Sequence, residues 1–108
     1  MKASISALLG VALLLGAGCG DEPSDEERDR AIAAAMEAFE RVQGGEDLEQ
    51  GPCIAEELPG LPDWVADIAH DPREPVDDDP ANQCQRYRDG EASHFVELTP
   101  EGELIRAE

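Results

Sequence analysis

Residues 24–44 read SDEERDRAIAAAMEAFERVQG, and this stretch decides the fold class. Ser24 and Glu27 match a capping box, in which two side chains bind backbone amides that lack partners at the start of a helix. Behind them, apolar residues recur at spacings of three and four, which is typical of one face of a helix. These residues are Ile32, Ala35, Met36, Phe39 and Val42. The pattern predicts one long helix, about residues 25–43, that ends at a glycine pair.

The C-terminal segment has the pattern of a β-hairpin. Two alternating stretches, residues 95–98 and 103–106, flank the turn sequence TPEG at residues 99–102. Proline at the second turn position and glycine at the fourth favour a type I turn with a bulge. Because a lone hairpin is only marginally stable in water, we expect it to lie on the helices or to pair with a further strand near Leu48 or Val76.

A short helix is predicted to begin near Pro62, a residue that suits the first helical position. It would carry Trp64, Val65 and Ile68 inward and have His70 at its end. A histidine there would suit the negative end of the helix dipole.

A second short helix is predicted over residues 80–89. Asp79 suits its cap and Pro80 its first position, and Cys84 and Tyr87 would then share one side. The predicted fold class is therefore α+β, with one long N-terminal helix, two short helices, a C-terminal β-hairpin and one disulfide bond.

Of the three cysteines, Cys19 follows the apolar N-terminal stretch and is set aside, which leaves Cys53 and Cys84 as the candidate disulfide pair. In an oxidising compartment an isolated pair of this kind usually bonds, and closing the loop would stabilise the fold by roughly 3–4 kcal/mol. The chain has few large apolar residues, so we expect a covalent link to matter. Free thiols, or thiols with a redox or metal-binding role, are the alternatives, although the spacing is not Cys-X-X-Cys.

The chain is strongly acidic. It has 26 Asp and Glu against 8 Lys and Arg, and its formal net charge is −18 at pH 7. Such a surface argues against binding to nucleic acid, which needs basic patches, and against electrostatic attachment to anionic lipid. A basic partner or a cation remains compatible with this charge, as does an acidic surface that is simply solvated.

Candidate metal ligands are few. The acidic run at residues 77–79 could offer oxygen ligands to calcium, but Ala81 and Asn82 stand where an EF-hand loop would have an acidic residue or Asn and then Gly. His70 and His94 share no zinc-ligand spacing. No metal site and no cofactor are therefore predicted, and an irregular calcium site at 77–79 stays an alternative.

The candidate catalytic residues do not combine into a recognisable nucleophile and base pair. Ser93 and His94 are adjacent, so on a strand their side chains would point to opposite faces. Trp64, Tyr87 and Phe95 could line a small ligand groove, but burial in a thin core is the expected use of each. We therefore predict a protein that is not an enzyme, with a small hydrolase as an alternative.

The N-terminal residues have the three parts of a secretory signal. Lys2 gives a positive start, residues 5–15 are uncharged and mostly Ala, Leu, Ile and Val, and small residues follow. This apolar stretch is shorter than the ~20 residues of a membrane-spanning helix. The sequence Leu-Gly-Ala-Gly-Cys at residues 15–19 resembles the lipobox of bacterial prolipoproteins. The resemblance implies cleavage before Cys19 and attachment of a diacylglycerol, with acyl chains such as palmitate, to its sulfur.

The resemblance divides the chain into a signal peptide (residues 1–18), a lipid-anchored tether (19–24) and a single small acidic domain (25–108). It implies a cell-envelope protein held on the membrane by covalent lipid and facing the periplasm or the exterior. In the lipoproteins of enteric bacteria an Asp directly after the cysteine favours the inner membrane. Gly20 stands there in this chain, so the resemblance implies the outer membrane. We expect the domain to bind or space an unknown envelope protein. The alternatives are a divalent-cation-binding accessory lipoprotein that uses the 77–79 loop, and plain secretion without lipid.

Overall fold

The computed structural model describes residues 22–45 and 47–108. The predicted signal peptide and Cys19 lie outside these residues. The described residues form an α+β fold with helix α1 (Asp25–Val42), strands β1 (Cys53–Ala55) and β2 (Trp64–Ile68), helix α2 (Gln85–Arg88), and strands β3 (His94–Leu98) and β4 (Leu104–Ala107). Short 3-10 turns occupy Leu48–Gln50, Pro75–Asp78 and Pro80–Asn82. No helix in the described ranges combines the length and the apolarity needed to cross a membrane.

Helix α1 confirms the long helix predicted from the sequence. Ser24 caps it by accepting a hydrogen bond from the Glu27 backbone amide at 3.0 Å. The Glu27 carboxylate accepts a hydrogen bond from Trp64 Nε1 at 2.8 Å, which ties the first helical turn to the sheet. The buried residues of the helix are Ala31, Ala35, Ala38 and Phe39. Because most of them are alanines, the helix backbone can pack close to the sheet.

The four strands form one sheet in the order β1-β2-β3-β4. β2 and β3 are parallel, whereas each outer strand is antiparallel to its neighbour. Side chains alternate between the two faces of a strand. On one face, Trp64, Ile68 and Leu98 are buried in the core against α1. On the opposite face, Asp67 of β2 and Glu97 of β3 are direct register partners.

The short helix predicted from Pro62 is wrong, because residues 64–68 form strand β2. Trp64 and Val65 are both buried, but they are buried on opposite faces of a strand rather than on one side of a helix. The backbone of β2 pairs along its whole length with β3. This pairing is distant in sequence, so the local spacing of apolar residues could not distinguish strand from helix. His70 consequently follows a strand instead of ending a helix.

The second short helix is present only in part. Residues 80–82 form a 3-10 turn, and the four-residue helix α2 begins after Cys84. Gln83 and Cys84 are extended between them, so the 80–89 segment is not one continuous helix. The expectation that the hairpin pairs with a strand near Leu48 or Val76 is wrong, because both segments are 3-10 turns. The hairpin pairs with β2 instead, and β1 pairs with the other edge of β2.

The disulfide and the hairpin are both confirmed. Cys53 of β1 and Cys84 are bonded, and β3 and β4 pair around a turn in which the Gly102 amide donates to Thr99 O at 2.9 Å. Gly102 has a φ of +92°, and a Cβ atom at this position would lie 2.7 Å from the ring of Phe39. The turn therefore requires glycine both for its backbone conformation and for its contact with α1.

Candidate functional site

A groove on the sheet face opposite α1 is the candidate binding site. Its cavity encloses about 220 Å³. The outward side chains of β2, β3 and β4 form the floor, and α2 with the residues before it forms one wall. The charged residues that line it are Asp67, Arg73, Arg88, Glu97 and Arg106. Concave sites of this kind, with convergent polar groups, are the usual places for small ligands.

Glu97 is the charged centre of the groove. It is only 5% exposed, and its two carboxylate oxygens bind separate guanidinium groups. Oε2 lies 3.1 Å from Arg73 Nη1, and Oε1 lies 3.2 Å from Arg106 Nε. Arg73 comes from the loop after β2 and Arg106 from β4, so the two cations hold the carboxylate from different segments. A buried charge is tolerated when it is paired and hydrogen-bonded in this way.

Asp67 stands beside Glu97 without comparable partners. Its Oδ1 atom is buried and has no hydrogen-bond partner among the described residues. Burial, followed by the negative charge of Glu97, raises the pKa of Asp67 to about 8. At neutral pH this carboxyl group is therefore mostly protonated and has a hydrogen to donate.

Two aromatic side chains line the groove. Tyr87 of α2 and Phe95 of β3 meet edge to face, with ring centroids 5.2 Å apart. The guanidinium carbon of Arg106 lies 5.5 Å from the centroid of the Phe95 ring. The expected burial of the aromatic residues is confirmed for Trp64 but is wrong for Tyr87, which is 43% exposed. The exposed Tyr87 ring, packed on the partly buried Phe95 ring, gives the groove an apolar side next to its charged floor.

The groove lies next to the start of the described chain. A second depression shares Tyr87 and Phe95 with it and is bordered by Glu22 and Pro23. These two residues belong to the end of the predicted tether. The C-terminal residue Glu108 borders the same depression. The mouth of the groove is therefore close to the point where the tether meets the domain.

A second polar cluster follows strand β2 and is held together by Asp77, which is 3% exposed. Asp77 Oδ2 accepts hydrogen bonds from the backbone amides of His70 and Glu74 at 2.9 Å, and Oδ1 lies 2.9 Å from His70 Nδ1. Although burial opposes it, these contacts from Glu74 and His70 lower the pKa of Asp77. The hydrogen bond to Asp77 in turn raises the pKa of His70, against a smaller effect of burial and with help from Glu49. The cluster fastens the loop to the end of the strand.

The other carboxylates of the 77–79 loop have protein partners of their own. Asp78 Oδ1 lies 3.2 Å from Arg73 Nε. Asp79 accepts a hydrogen bond from the Ala81 amide at 3.0 Å and so caps the next 3-10 turn. In this structure the three carboxylates of the loop turn toward different partners rather than toward a shared centre.

The two histidines are not brought to one site. His94 Nε2 lies 3.5 Å from Asp63 Oδ2, whereas His70 joins the loop cluster. Within the described ranges, the one close group of cysteine, histidine and acidic side chains consists of the disulfide sulfurs and Glu56. The sulfurs are bonded to each other, so they offer no thiolate to a metal.

The central carboxyl groups of the groove were missed by sequence reasoning, because Asp67 and Glu97 are only two of 26 acidic residues. A pattern that could have found them was present. Each is the fourth residue of a five-residue strand whose neighbours are apolar, in WVADI and HFVEL. Carboxylates seldom occupy such buried positions unless they are paired. Recognising residues 64–68 as a strand would have shown that both carboxylates lie within apolar strands, although only the parallel pairing of β2 with β3 places them side by side.

The groove offers three kinds of contact to a small molecule. Asp67 can donate a hydrogen bond, the arginines at the opening can bind negative charge, and Tyr87 and Phe95 present ring surfaces. Comparison of the chain with family models, curated proteins and solved structures finds no match.

Proposed function

We propose that this protein is a membrane-anchored lipoprotein of the bacterial cell envelope that binds another envelope component without catalysing a reaction. The observation that carries the proposal is the lipobox-like sequence at residues 15–19. The Cys53–Cys84 bond supports it, because disulfides persist in oxidising compartments such as the periplasm. The bond also accounts for two of the three cysteines and leaves Cys19 for lipid.

The charge of the chain favours a covalent anchor over an electrostatic one. A formal net charge of −18 would repel the anionic lipids that attract basic proteins. Buried acyl chains contribute about 0.8 kcal/mol for each methylene, and two chains are enough for stable attachment. A diacylated Cys19 would therefore hold an acidic domain on a membrane that its surface avoids.

The anchor would place the groove near the membrane. Helix α1 is capped by Ser24, so only residues 20–23 separate the domain from Cys19. An extended chain spans at most ~3.6 Å per residue, so Ser24 would lie within about 18 Å of the lipidated residue. Because Glu22 and Pro23 border the depression beside Tyr87, the groove would open on the membrane-proximal side of the domain.

Metabolic labelling tests the anchor. In a Gram-negative host grown with an alkyne analogue of palmitate, we expect wild-type protein to carry the label and to sediment with membranes. Cys19→Ser should lose both properties. The matched control, Cys53→Ser with Cys84→Ser, removes the other two cysteines and should keep the label. An unlabelled wild-type protein, or a Cys19→Ser protein that stays on the membrane, would contradict the proposal.

Divalent-cation binding by the 77–79 loop stays the alternative prediction. If it holds, millimolar calcium should raise the melting temperature by several degrees, and Asp78→Asn with Asp79→Asn should abolish the rise. Asp77 is left intact in this test because it anchors the backbone of His70. An unchanged melting temperature would count against the alternative.

A further inference from the structure

We propose that the groove on the outer sheet face binds a small organic carboxylate with an apolar or aromatic body. Three observations carry this proposal: a cavity of about 220 Å³, a buried Asp67 oxygen without a hydrogen-bond partner in the described ranges, and three of the seven arginines of the chain around the opening. Oδ1 itself is closed to solvent, so a ligand in the cavity would reach Asp67 through its other carboxyl oxygen, Oδ2, which is not fully buried and also has no hydrogen-bond partner among the described residues. The proposal goes beyond membrane anchoring and does not depend on it.

The arginines determine the sign of the ligand charge. Glu97 offsets one positive charge, and Asp78 offsets another through its contact with Arg73. Arg88 forms no ion pair with any described residue, so the groove keeps an excess of positive charge. The surrounding chain is acidic, but the screening length at physiological salt is only ~8 Å. Asp77 also acts on this face, but its carboxylate is held by the His70 ring and by two backbone amides. The arginines that line the groove therefore dominate the charge that a ligand inside it meets, so a carboxylate is favoured over an amine.

Asp67 supplies the donor that selects a carboxylate. The charged groups that act on it come from three segments: Glu97 from β3, Arg106 from β4, and Arg73 and Asp77 from the loop after β2. The disulfide on the β1 side does not titrate. Because the Asp67 pKa is raised to about 8, its carboxyl group is protonated at pH 7 and can donate to a carboxylate oxygen. Above that pH it becomes a second anion and repels the same ligand.

The apolar part of the groove sets the size of the ligand body. Val65 and Phe95 lie on the floor, and Tyr87 closes one side with its ring nearly perpendicular to that of Phe95. The cavity is smaller than the ~300–1,000 Å³ of sites for drug-sized molecules, so a ligand of about ten non-hydrogen atoms is the right scale. Benzoate has one ring and one carboxylate and is a suitable probe.

A titration of the full chain in a non-ionic detergent tests the proposal. At pH 7, benzoate should give saturating amide shifts at Val65, Asp67, Phe95 and Glu97 in nitrogen-15 NMR spectra, with a Kd on the order of 1 mM. Benzamide, which has the same shape without the charge, and benzylamine, which has the opposite charge, should bind at least about tenfold more weakly. Shifts that do not saturate, or equal binding of benzylamine, would overturn the proposal.

Two variants separate groove binding from general attraction. Arg88→Ala should weaken benzoate binding about fivefold, because one charge-assisted hydrogen bond is lost at a partly exposed site. Arg30→Ala changes the net charge equally on the exposed face of α1 and should leave the Kd unchanged. Equal effects of the two variants would show that benzoate responds to charge alone and would overturn the site.

The pH dependence assigns the donor. In the wild type, benzoate affinity should fall by about tenfold for each pH unit above the pKa of Asp67, because the donor hydrogen is lost. Asp67→Asn keeps a neutral donor at the same position, so its affinity should be unchanged between pH 7 and about pH 9. A parallel decline in both proteins would remove Asp67 from the proposal.

The source of the carboxylate and the anchor are tested separately. N-acetyl-alanyl-alanine presents the same group as a peptide end, so comparison with benzoate distinguishes a peptide terminus from a free acid. Tighter binding of the peptide would assign the groove to peptide ends, and tighter binding of benzoate would assign it to free acids. Cys19→Ser should bind benzoate like the wild type, so failure of the lipid anchor leaves this result unaffected and the two proposals fail independently.

Discussion

The two faces of the sheet are stabilised by different kinds of interaction. The face against α1 is a close-packed apolar core in which Trp64 and Leu98 are fully buried. The opposite face carries a disulfide, a paired Glu97 and an Asp67 oxygen without a partner among the described residues. Burial stabilises the first face without special geometry, whereas each polar group on the second needs a specific partner. The apolar face is therefore stabilised by burial, whereas the groove face depends on specific partners and on a covalent link.

Asp67, near the end of β2, and Asp77, in the loop that follows it, show the same contrast between two residues of one type. Asp77 is buried among three hydrogen-bond donor groups from Glu74 and His70, and its pKa is lowered. Asp67 is buried next to another carboxylate, and its pKa is raised to about 8. Burial opposes ionisation at both sites, so the donors decide the sign of the shift. Asp77 is therefore explained as a structural residue, whereas the contacts of the described residues give Asp67 no such role.

Removing apolar volume from the face against α1 should have the largest effect. Leu98→Ala is expected to lower the free energy of unfolding by about 2–5 kcal/mol, because it leaves a cavity in a fully buried position. Urea denaturation measures this loss. Leu104→Ala is the control, since Leu104 is 44% exposed and should cost about 1 kcal/mol or less. Equal losses would mean that the core against α1 does not dominate stability.

Removing the disulfide tests the stability of the groove face. Cys53→Ser with Cys84→Ser should lower the free energy of unfolding by roughly 3–4 kcal/mol, because the unfolded chain regains the entropy of the closed loop. Reduction of the wild type should give a loss of similar size, and Cys19→Ser should give none. If reduction of the wild type lowers the free energy of unfolding by well under 1 kcal/mol, the disulfide does not stabilise the groove face.

Asp67→Asn should stabilise the protein, and the gain should grow with pH. The folded state holds the Asp67 proton up to about pH 8, whereas the unfolded chain releases it near pH 3.8. Between these values the folded state binds more protons than the unfolded state, so the wild type loses stability as the pH rises. The difference grows by about 1.4 kcal/mol for each pH unit above 3.8, so we expect a gain of about 2 kcal/mol at pH 5.5 and little gain at pH 4, measured by urea denaturation. Asp71→Asn, on an exposed residue, serves as the control, and a gain that is equal at both pH values would contradict the assignment.

The pH dependence of stability that comes from His70 should be the smallest of these effects. Here the folded state stabilises the charged form of the side chain, whereas at Asp67 it stabilises the neutral form. Its pKa is raised by Asp77, so its contribution to stability is fully present below about pH 6.5 and is lost as the pH rises through the folded-state value. Melting temperatures across this range, measured in the Asp67→Asn protein, isolate the His70 contribution. His70→Asn should flatten the remaining decline. If the decline persists in that double variant, another group is responsible.

Local patterns predicted the elements whose information lies within one segment. The capping residue Ser24 and the apolar spacing behind it were enough for α1, and the turn at residues 99–102 was enough for the hairpin. Once the lipobox resemblance had set Cys19 aside, the two remaining cysteines predicted the Cys53–Cys84 bond. Strand β2 was mistaken for a helix because its apolar residues fit both periods over so short a length.

The groove could not be predicted because its residues come from distant parts of the chain. Asp67 and Glu97 become neighbours only through the parallel pairing of β2 with β3. Arg106 joins them through β4, and Arg73 joins them from a loop. No periodicity within one segment encodes these contacts, since each depends on strand register across the sheet.

The sequence by itself determined the acidic charge, the α+β class, the long helix, the hairpin and the disulfide pair, because composition and short-range spacing suffice for them. It also carries the lipobox-like residues 15–19, on which the proposed anchor rests. Only the tertiary structure decided that residues 64–68 are a strand and that one sheet face holds two carboxyl groups among arginines. The physical reason is that the ionisation of a side chain depends on its neighbours in space, and for Asp67 those neighbours are set by the sheet.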